Sequence, residues 1–255
     1  TPIDLEAHVM AALDLPAYPI ASQTYPRKQD WQVTSALSGI AGSLYKFAFD
    51  LRLLQSPVID EWHEPFGKHQ VGSSAMPFKR NPINAEKIDR LGRLVLAMER
   101  VAWDNASHSL LERTLDDSAN RREFLPVAFL ATDEMIRVST RIISDLRIDD
   151  GAAARNLARF RSFAAVERVL MAVVKAGADR QEMHEHLRTH SLAAWAVISA
   201  GESNPLVESL ANSPELGVYL TPEQIRTLLD ASAYIGNAPE RAHQFAAHIL
   251  ETLSD

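Results

Sequence analysis

The sequence predicts an all-α fold, a bundle of long helices followed by a small helical domain, and three observations carry that prediction. Apolar residues recur at alternating steps of three and four along long stretches, the 3.5-residue repeat of a helix packed along a partner. Prolines and glycines such as Pro16, Pro57, Gly177 and Gly201 separate the helical stretches. No run shows the strict alternation of a half-buried strand. The chain has 255 residues, nearly half of them hydrophobic, enough to bury a full core in one or two domains.

Asp4 to Leu13 reads as an amphipathic helix ending before Pro16. A threonine as first residue, followed at once by that helix, reads as a start in mid-protein. Leu15 to Tyr25 is a connecting loop with Pro16, Pro19 and, just beyond, Pro26. From about Asp30 to Gln55 the positions Leu37, Ile40, Leu44, Phe47, Leu51 and Leu54 form the stripe of a long bundle helix, stopped by Pro57. Glu61 to Gln70 is polar and irregular. A second long helix is expected from Asn84, a plausible N-cap, to Ser107, with Ile88, Leu91, Val95, Met98 and Ala102 on one side. A third runs from about Ala119 to Leu146, capped by Asp117 or Ser118, with Leu130, Met135, Ile142 and Leu146 on its buried face. Beyond Asp150 shorter helices follow, at Leu170 to Lys175, Arg180 to Ile198, Pro222 to Leu229 and Ala238 to Leu250. Thr221-Pro222-Glu223 reads as an N-cap with proline at the first helical position. The expected domains are residues 1–148 and residues 149–255.

Composition narrows the function. There is no cysteine, which excludes disulfides, thiolate metal sites and a cysteine nucleophile and fits a cytoplasmic location. A net charge of −7 argues against nucleic-acid binding, and no apolar run approaches the roughly 18 residues of a membrane span. Positive charge is local, in Arg27-Lys28, Lys79-Arg80, Lys87, and Arg113 with Arg121-Arg122. Such clusters on an acidic chain suggest sites for small anions.

The most informative stretch is Gly72-Ser73-Ser74-Ala75-Met76-Pro77-Phe78-Lys79-Arg80-Asn81-Pro82. A glycine precedes two hydroxyls and lets backbone approach a ligand. Two prolines stiffen the segment, and a lysine, an arginine and an asparagine offer donors to a carboxylate or phosphate. The stretch resembles the G-S-S-x-M-P-x-K-x-N-P loop of the fumarase/aspartase superfamily and meets every fixed position of it. A second stretch, Glu112-Arg113-Thr114-Leu115-Asp116-Asp117-Ser118-Ala119-Asn120-Arg121-Arg122, opens a helix whose N-terminus suits a phosphate. It resembles the corresponding string of one branch of the adenylosuccinate lyase family. Gln23-Thr24-Tyr25-Pro26-Arg27-Lys28 resembles that family's Q-T-Y-x-R-K segment, and Glu167 to the C-terminus resembles its small helical C-terminal domain.

The resemblance implies a fumarase/aspartase-type helical bundle and β-elimination of fumarate from adenylosuccinate, giving AMP, or from SAICAR, giving AICAR. It implies Ser73 as the base, Ser74 being the second choice, with Lys79 as the cation that stabilises its alkoxide. Lys79 and Asn81 would hold the succinyl carboxylates, with Met76 in the same loop. Gln23, Lys87, Arg113, Ser118 and Arg122 would grip the rest of the substrate and its phosphate, with Glu86 as a possible support. Lys87, about one turn into its helix, is expected to reach the ligand of the loop. The superfamily's general acid is a histidine that precedes the central helices, so the chain reads as a central and C-terminal portion with little activity alone. The family's homotetramer, with active sites shared between subunits, is the expected partner arrangement, and no metal or other cofactor is expected. A sister lyase, of the argininosuccinate lyase or carboxymuconate cycloisomerase type, would share the loop but lack the Arg113 to Arg122 string; a non-catalytic helical scaffold would not bind AMP. His186 and His190 stand at zinc-chelating spacing beside His184, but Glu182, Glu185 and Arg188 around them suggest a solvated helix face. His69 and His108 have only proximity in their favour.

Overall fold

The computed structural model describes residues 1–67, 75–76, 78–113 and 115–254, and they divide into two compact units, Thr1–Asp149 and Asp150–Asp255. The first unit is a bundle of α2 (Lys28–Leu54), α3 (Ile83–Ser107) and α4 (Asp117–Ser144), preceded by α1 (Pro2–Leu13). Helix α1 starts on a capping box between Thr1 and Asp4 and buries none of its residues. The fold class is the one expected, with one addition: β1 (Trp62–His63) and β2 (Arg147–Ile148) pair antiparallel, Trp62 opposite Ile148 and His63 opposite Arg147.

The seam of the bundle is set by small residues. Thr34, Ala41, Ala48 and Gln55 follow one another at steps of seven and are all buried, so α3 can approach the α2 backbone closely. Leu37, Leu44 and Phe47 flank that line and are partly buried, while Ile40, expected inside, is 44% exposed. In α4 the buried line runs through Ala128, Ala131, Met135, Val138 and Ile142, and Leu130, also expected inside, is 69% exposed. Both errors come from weighting large apolar side chains above the alanines that the helix crossing needs. Gly92 marks the tightest approach: a Cβ there would lie 2.9 Å from Tyr45 Cδ2 and 3.3 Å from Met135 Cε. Buried Asp89 of α3 accepts from Arg52 Nη1 of α2 at 2.6 Å.

Two expected caps are different. Helix α3 begins after Pro82, with Asn84 inside its first turn, and α4 begins after Asp116, with Asp117 and Ser118 already helical; neither start has a local side-chain cap. Asp117 is drawn instead into a buried ion pair with Arg27.

The second unit packs α5 (Asp150–Lys175), α6 (Arg180–Ser199), α7 (Leu206–Ala211), α8 (Pro214–Gly217), α9 (Pro222–Leu229) and a short 3-10 turn at 231–233, followed by α10 (Ala238–Ser254). Helix α5 starts twenty residues earlier than the sequence suggested, because its first half is rich in Ala and Arg and shows little apolar periodicity. Its core includes Val169, Leu187, Leu206, Leu210, Leu216, Ile225 and Leu229. Gly177 ends α5 at φ +103°, a conformation only glycine adopts without strain. Thr221 caps α9 through a capping box with Gln224. On α6, His184 is exposed together with Glu182, Glu185 and Arg188, whereas His186 and His190 are half-buried: the His186 ring bonds Ser213 Oγ at 2.8 Å and the His190 ring bonds Ser209 Oγ at 2.6 Å, with the rings 4.6 Å apart. Burial and the neighbouring His186 push the His190 pKa down. Among the described residues no group of three or more His, Asp or Glu is placed to hold a metal ion, and no helix is long and apolar enough to cross a membrane.

Candidate active site

Candidate residues gather at two places in the first unit. The first is the pair of chain segments that flank residues 68–74. Ser73 and Ser74, and His69 beside them, lie outside the described residues. On the upstream flank, Glu61 N–H donates to Leu54 O at 3.0 Å and Glu61 O accepts from Asp149 N–H at 2.7 Å, so the segment is tied to the end of α2 and to the β2 edge. Glu64 then turns inward and is 3% exposed. Its carboxylate accepts from Asn84 N–H at 3.1 Å, Asn84 Nδ2 at 3.1 Å and Ala85 N–H at 3.0 Å. A carboxylate from another segment thus caps α3, satisfying orphan donors and meeting the positive end of the helix dipole. Burial pushes the Glu64 carboxyl up, against the opposing pull of those donors.

On the downstream flank, Lys79 N–H donates to Met76 O at 3.0 Å, closing a turn, and Ile83 N–H donates to Asn81 O at 2.9 Å. Met76 and Lys79 are exposed and Asn81 is half-buried. The Arg80 guanidinium lies over the Phe66 ring, 5.2 Å from its centroid, joining the two flanks. Gln55, Glu64, Phe66, Arg80, Asp145 and Arg147 line a cavity of about 490 Å³ beside them. The Lys87 ammonium pairs with Glu134 of α4 and holds that carboxyl below its usual range.

The second place is the corner where the loop before α2 meets the start of α4. Arg113 Nη1 donates to Gln23 Oε1 at 3.5 Å, and the two line a cavity of about 280 Å³ with Glu112 and Leu115. Ser118 lies in the first turn of α4, its N–H donating to Leu115 O at 3.1 Å, and exposed Arg122 follows one turn later. Beneath them is a charged network the sequence reading missed. Arg27 Nε donates to Asp117 Oδ2, the side chains only 9% and 3% exposed. Arg121 Nε donates to Asp30 Oδ2 at 2.6 Å and the Tyr25 hydroxyl to Asp30 Oδ1 at 2.6 Å. Both guanidiniums lie near the Tyr25 ring, at 5.0 and 5.7 Å from its centroid. Burial, and then Asp30, push the Tyr25 phenol up.

These two places are far apart in one chain. The loop flanks sit at the N-terminal end of α3 and the corner at its C-terminal end, and the 25 residues of that helix span roughly 37 Å at 1.5 Å per residue. The sequence had grouped Lys79 and Asn81 with Gln23, Arg113, Ser118 and Arg122 around one ligand. The structure pairs Gln23 with Arg113 and keeps Lys79 and Asn81 together, but does not bring the two groups to each other within the chain.

The comparisons with known proteins agree along the chain. A protein-family profile described as "Adenylosuccinate lyase C-terminus" matches residues 162–245, and one described as "Lyase" matches residues 4–96. The adenylosuccinate lyase of Schizosaccharomyces pombe is 39% identical over 231 residues, 89% of this chain and 47% of that protein. That of Schistosoma mansoni is 41% identical over 230 residues, with the same shares. The chain is thus similar to adenylosuccinate lyases over most of its own length. It spans about half the length of the curated relatives it matches. Among solved structures, the 3-carboxy-cis,cis-muconate lactonizing enzyme of Pseudomonas putida superposes with a TM-score of 0.72 at 25% identity, over 88% of this chain and 48% of that one. A fumarate lyase of Mesorhizobium superposes at 0.77 and 22% identity, over 92% and 50%, a likeness of fold. Adenylosuccinate lyases are thus relatives by sequence, while the two solved enzymes share the fold.

Proposed function

We propose that the chain forms the central and C-terminal part of a cytoplasmic adenylosuccinate lyase of purine biosynthesis. It eliminates fumarate from adenylosuccinate, giving AMP, and from SAICAR, giving AICAR. The observation that carries the reading is the Gln23–Arg113 contact at the mouth of a cavity, made between two segments ninety residues apart. Arg113 belongs to the string by which this family differs from its sister lyases, and Gln23 to a second segment that resembles the family's. In the reaction Ser73 takes the proton beside a carboxylate, the C–N bond breaks, and the leaving nitrogen is protonated by the superfamily histidine that lies upstream in the relatives. Lys79 and Asn81 hold the succinyl carboxylates, with Met76 and Ser74 beside them, and so stabilise the charge that develops as the proton leaves. Arg113, Ser118 and Arg122 hold the phosphate at the start of α4, where the positive end of the helix dipole adds to the attraction, and Gln23 contacts the same ligand. Lys87 joins the ligand by exchanging its partner Glu134.

A ligand of this size does not reach from one end of α3 to the other, so the proposed arrangement is a homotetramer in which one copy supplies Lys79 and Asn81 and another the Arg113 corner. The test uses the protein expressed from its own start codon, with fumarate release as the readout. Ser73→Ala is expected to lose at least about a hundredfold, the scale of a general base. Near-normal turnover would refute the assignment. Lys79→Ala and Arg113→Ala, each inactive alone, are expected to recover activity when refolded together, and no recovery would refute the sharing.

A further inference from the structure

We infer that Gln55 and Glu64 are positioning residues that set where Lys79 and Asn81 stand, an inference that rests on the reading of those two as the grip on the substrate carboxylates. Gln55 ends α2 on the seam line that Thr34, Ala41 and Ala48 occupy, and it is 7% exposed. An apolar side chain there would continue the seam without burying an amide. The amide instead reaches both flanks of the loop at once. Its Oε1 accepts from Glu64 N–H at 2.9 Å and its Nε2 donates to Arg80 O at 3.2 Å. That carbonyl belongs to the peptide between Arg80 and Asn81, so Gln55 fixes the backbone from which the Lys79 and Asn81 side chains depart on either side.

Glu64 acts on the next residues. By accepting from Asn84 and Ala85 it fixes the start of α3, and with it the short turn from Asn81 to Ile83. The stacking of Arg80 on Phe66 adds a third tie between the same two flanks. Helix formation alone demands none of these bonds from Gln55: they cross nine and twenty-five positions of sequence. Their common effect is to hold one peptide in place, and misplacing a binding group by about 1 Å can cost on the order of a hundredfold in rate.

The experiment compares the protein expressed from its own start codon with Gln55→Leu, Gln55→Glu, Glu64→Gln and Glu64→Leu. It reads kcat and KM for adenylosuccinate, and AMP affinity by thermal shift. Gln55→Leu is expected to lower kcat/KM at least tenfold and leave AMP affinity within twofold, because the nucleotide corner lies at the far end of α3. Gln55→Glu keeps the acceptor and loses the donor to Arg80 O, and is expected to fail as Gln55→Leu does. Glu64→Gln keeps an oxygen for the α3 amides and is expected to retain more activity than Glu64→Leu. Turnover by Gln55→Leu within twofold of the unaltered protein overturns the inference. So does a parallel loss of AMP affinity, which marks a general folding defect. An unaltered protein that releases no fumarate overturns the lyase reading and the inference with it, whereas an active one with indifferent variants overturns the inference alone.

Discussion

Replacing Asp117 by alanine isolates one interaction beneath the Gln23–Arg113 corner, and its cost can be worked from the structure. The Arg27 side chain is 9% exposed and that of Asp117 is 3%. In Asp117→Ala the guanidinium keeps its place near the Tyr25 ring but loses its carboxylate partner, and Arg121 retains Asp30. Breaking a buried pair by removing one member costs about 3–5 kcal/mol, because a charge stays buried without compensation. Against the ~5–15 kcal/mol that holds a domain together, that is about a fifth or more of the first unit's stability, and roughly 10 °C in its melting temperature.

Tryptophan fluorescence during denaturant unfolding reports this unit, since Trp31, Trp62 and Trp103 of the four tryptophans lie in it. The double variant Arg27→Met with Asp117→Leu removes both charges and fills the space, and is expected to regain most of the loss. A single variant that costs under about 1 kcal/mol, or a double variant as unstable as the two single losses added, would refute the view that a buried, mutually dependent pair holds the loop to α4.

Three further outcomes are expected. Gly92→Ala gains about 1 kcal/mol of helix propensity, but its Cβ would stand 2.9 Å from Tyr45 Cδ2, and overpacking of about 1–3 kcal/mol wins; a rise in the unfolding midpoint would contradict this. His190, held below its ordinary 6.5 by burial and by His186, binds a proton more readily unfolded than folded, so the stability it lends the second unit is full above that value and drains away as pH falls below it. Melting curves of His190→Gln between pH 7.5 and 5.5 should be flatter than those of the unaltered protein, and equal slopes would exclude His190 as the source. Thr221→Ala removes the capping box of α9 and is expected to cost the second unit about 1 kcal/mol, read as a lowered denaturant midpoint.

The long helices were legible because a repeat sustained over twenty-odd residues has few explanations. Their inner faces were less so. Ala41 and Ala48 contribute little apolar area, and a reading that follows large side chains assigns the seam to Leu37 and Ile40 in their place. The same preference hid the first half of α5. Gln55 was within reach of the sequence: it continues the seven-residue line of Thr34, Ala41 and Ala48, and a polar residue on a buried line needs a partner. Glu64 was not, since nothing local says that a carboxylate twenty positions upstream will cap α3. The caps assigned to Asn84 and to Asp117 or Ser118 failed for a related reason. A short polar side chain near a helix start is a good cap only until a buried partner such as Glu64 or Arg27 competes for it.

The motifs named the candidate residues but were silent on distance, and distance is what gives them meaning. A helix is a rigid spacer, so the separation between the Lys79 and Asn81 flank and the Arg113 corner follows from the length of α3 alone. No side-chain rearrangement within one chain closes a gap of roughly 37 Å, and bending α3 in its middle would tear Ile88, Val95 and Ala102 out of the core. In the proposed reading the bundle therefore has two tasks. It supports each half-site locally, through Gln55 and Glu64 at one end and through Arg27, Asp30, Asp117 and Arg121 at the other. It also sets the two half-sites far enough apart that only the end of another copy can complete each of them. On that account the loss from a variant at one end should be rescued by a copy intact at that end, and never by a second change within the same chain at the other.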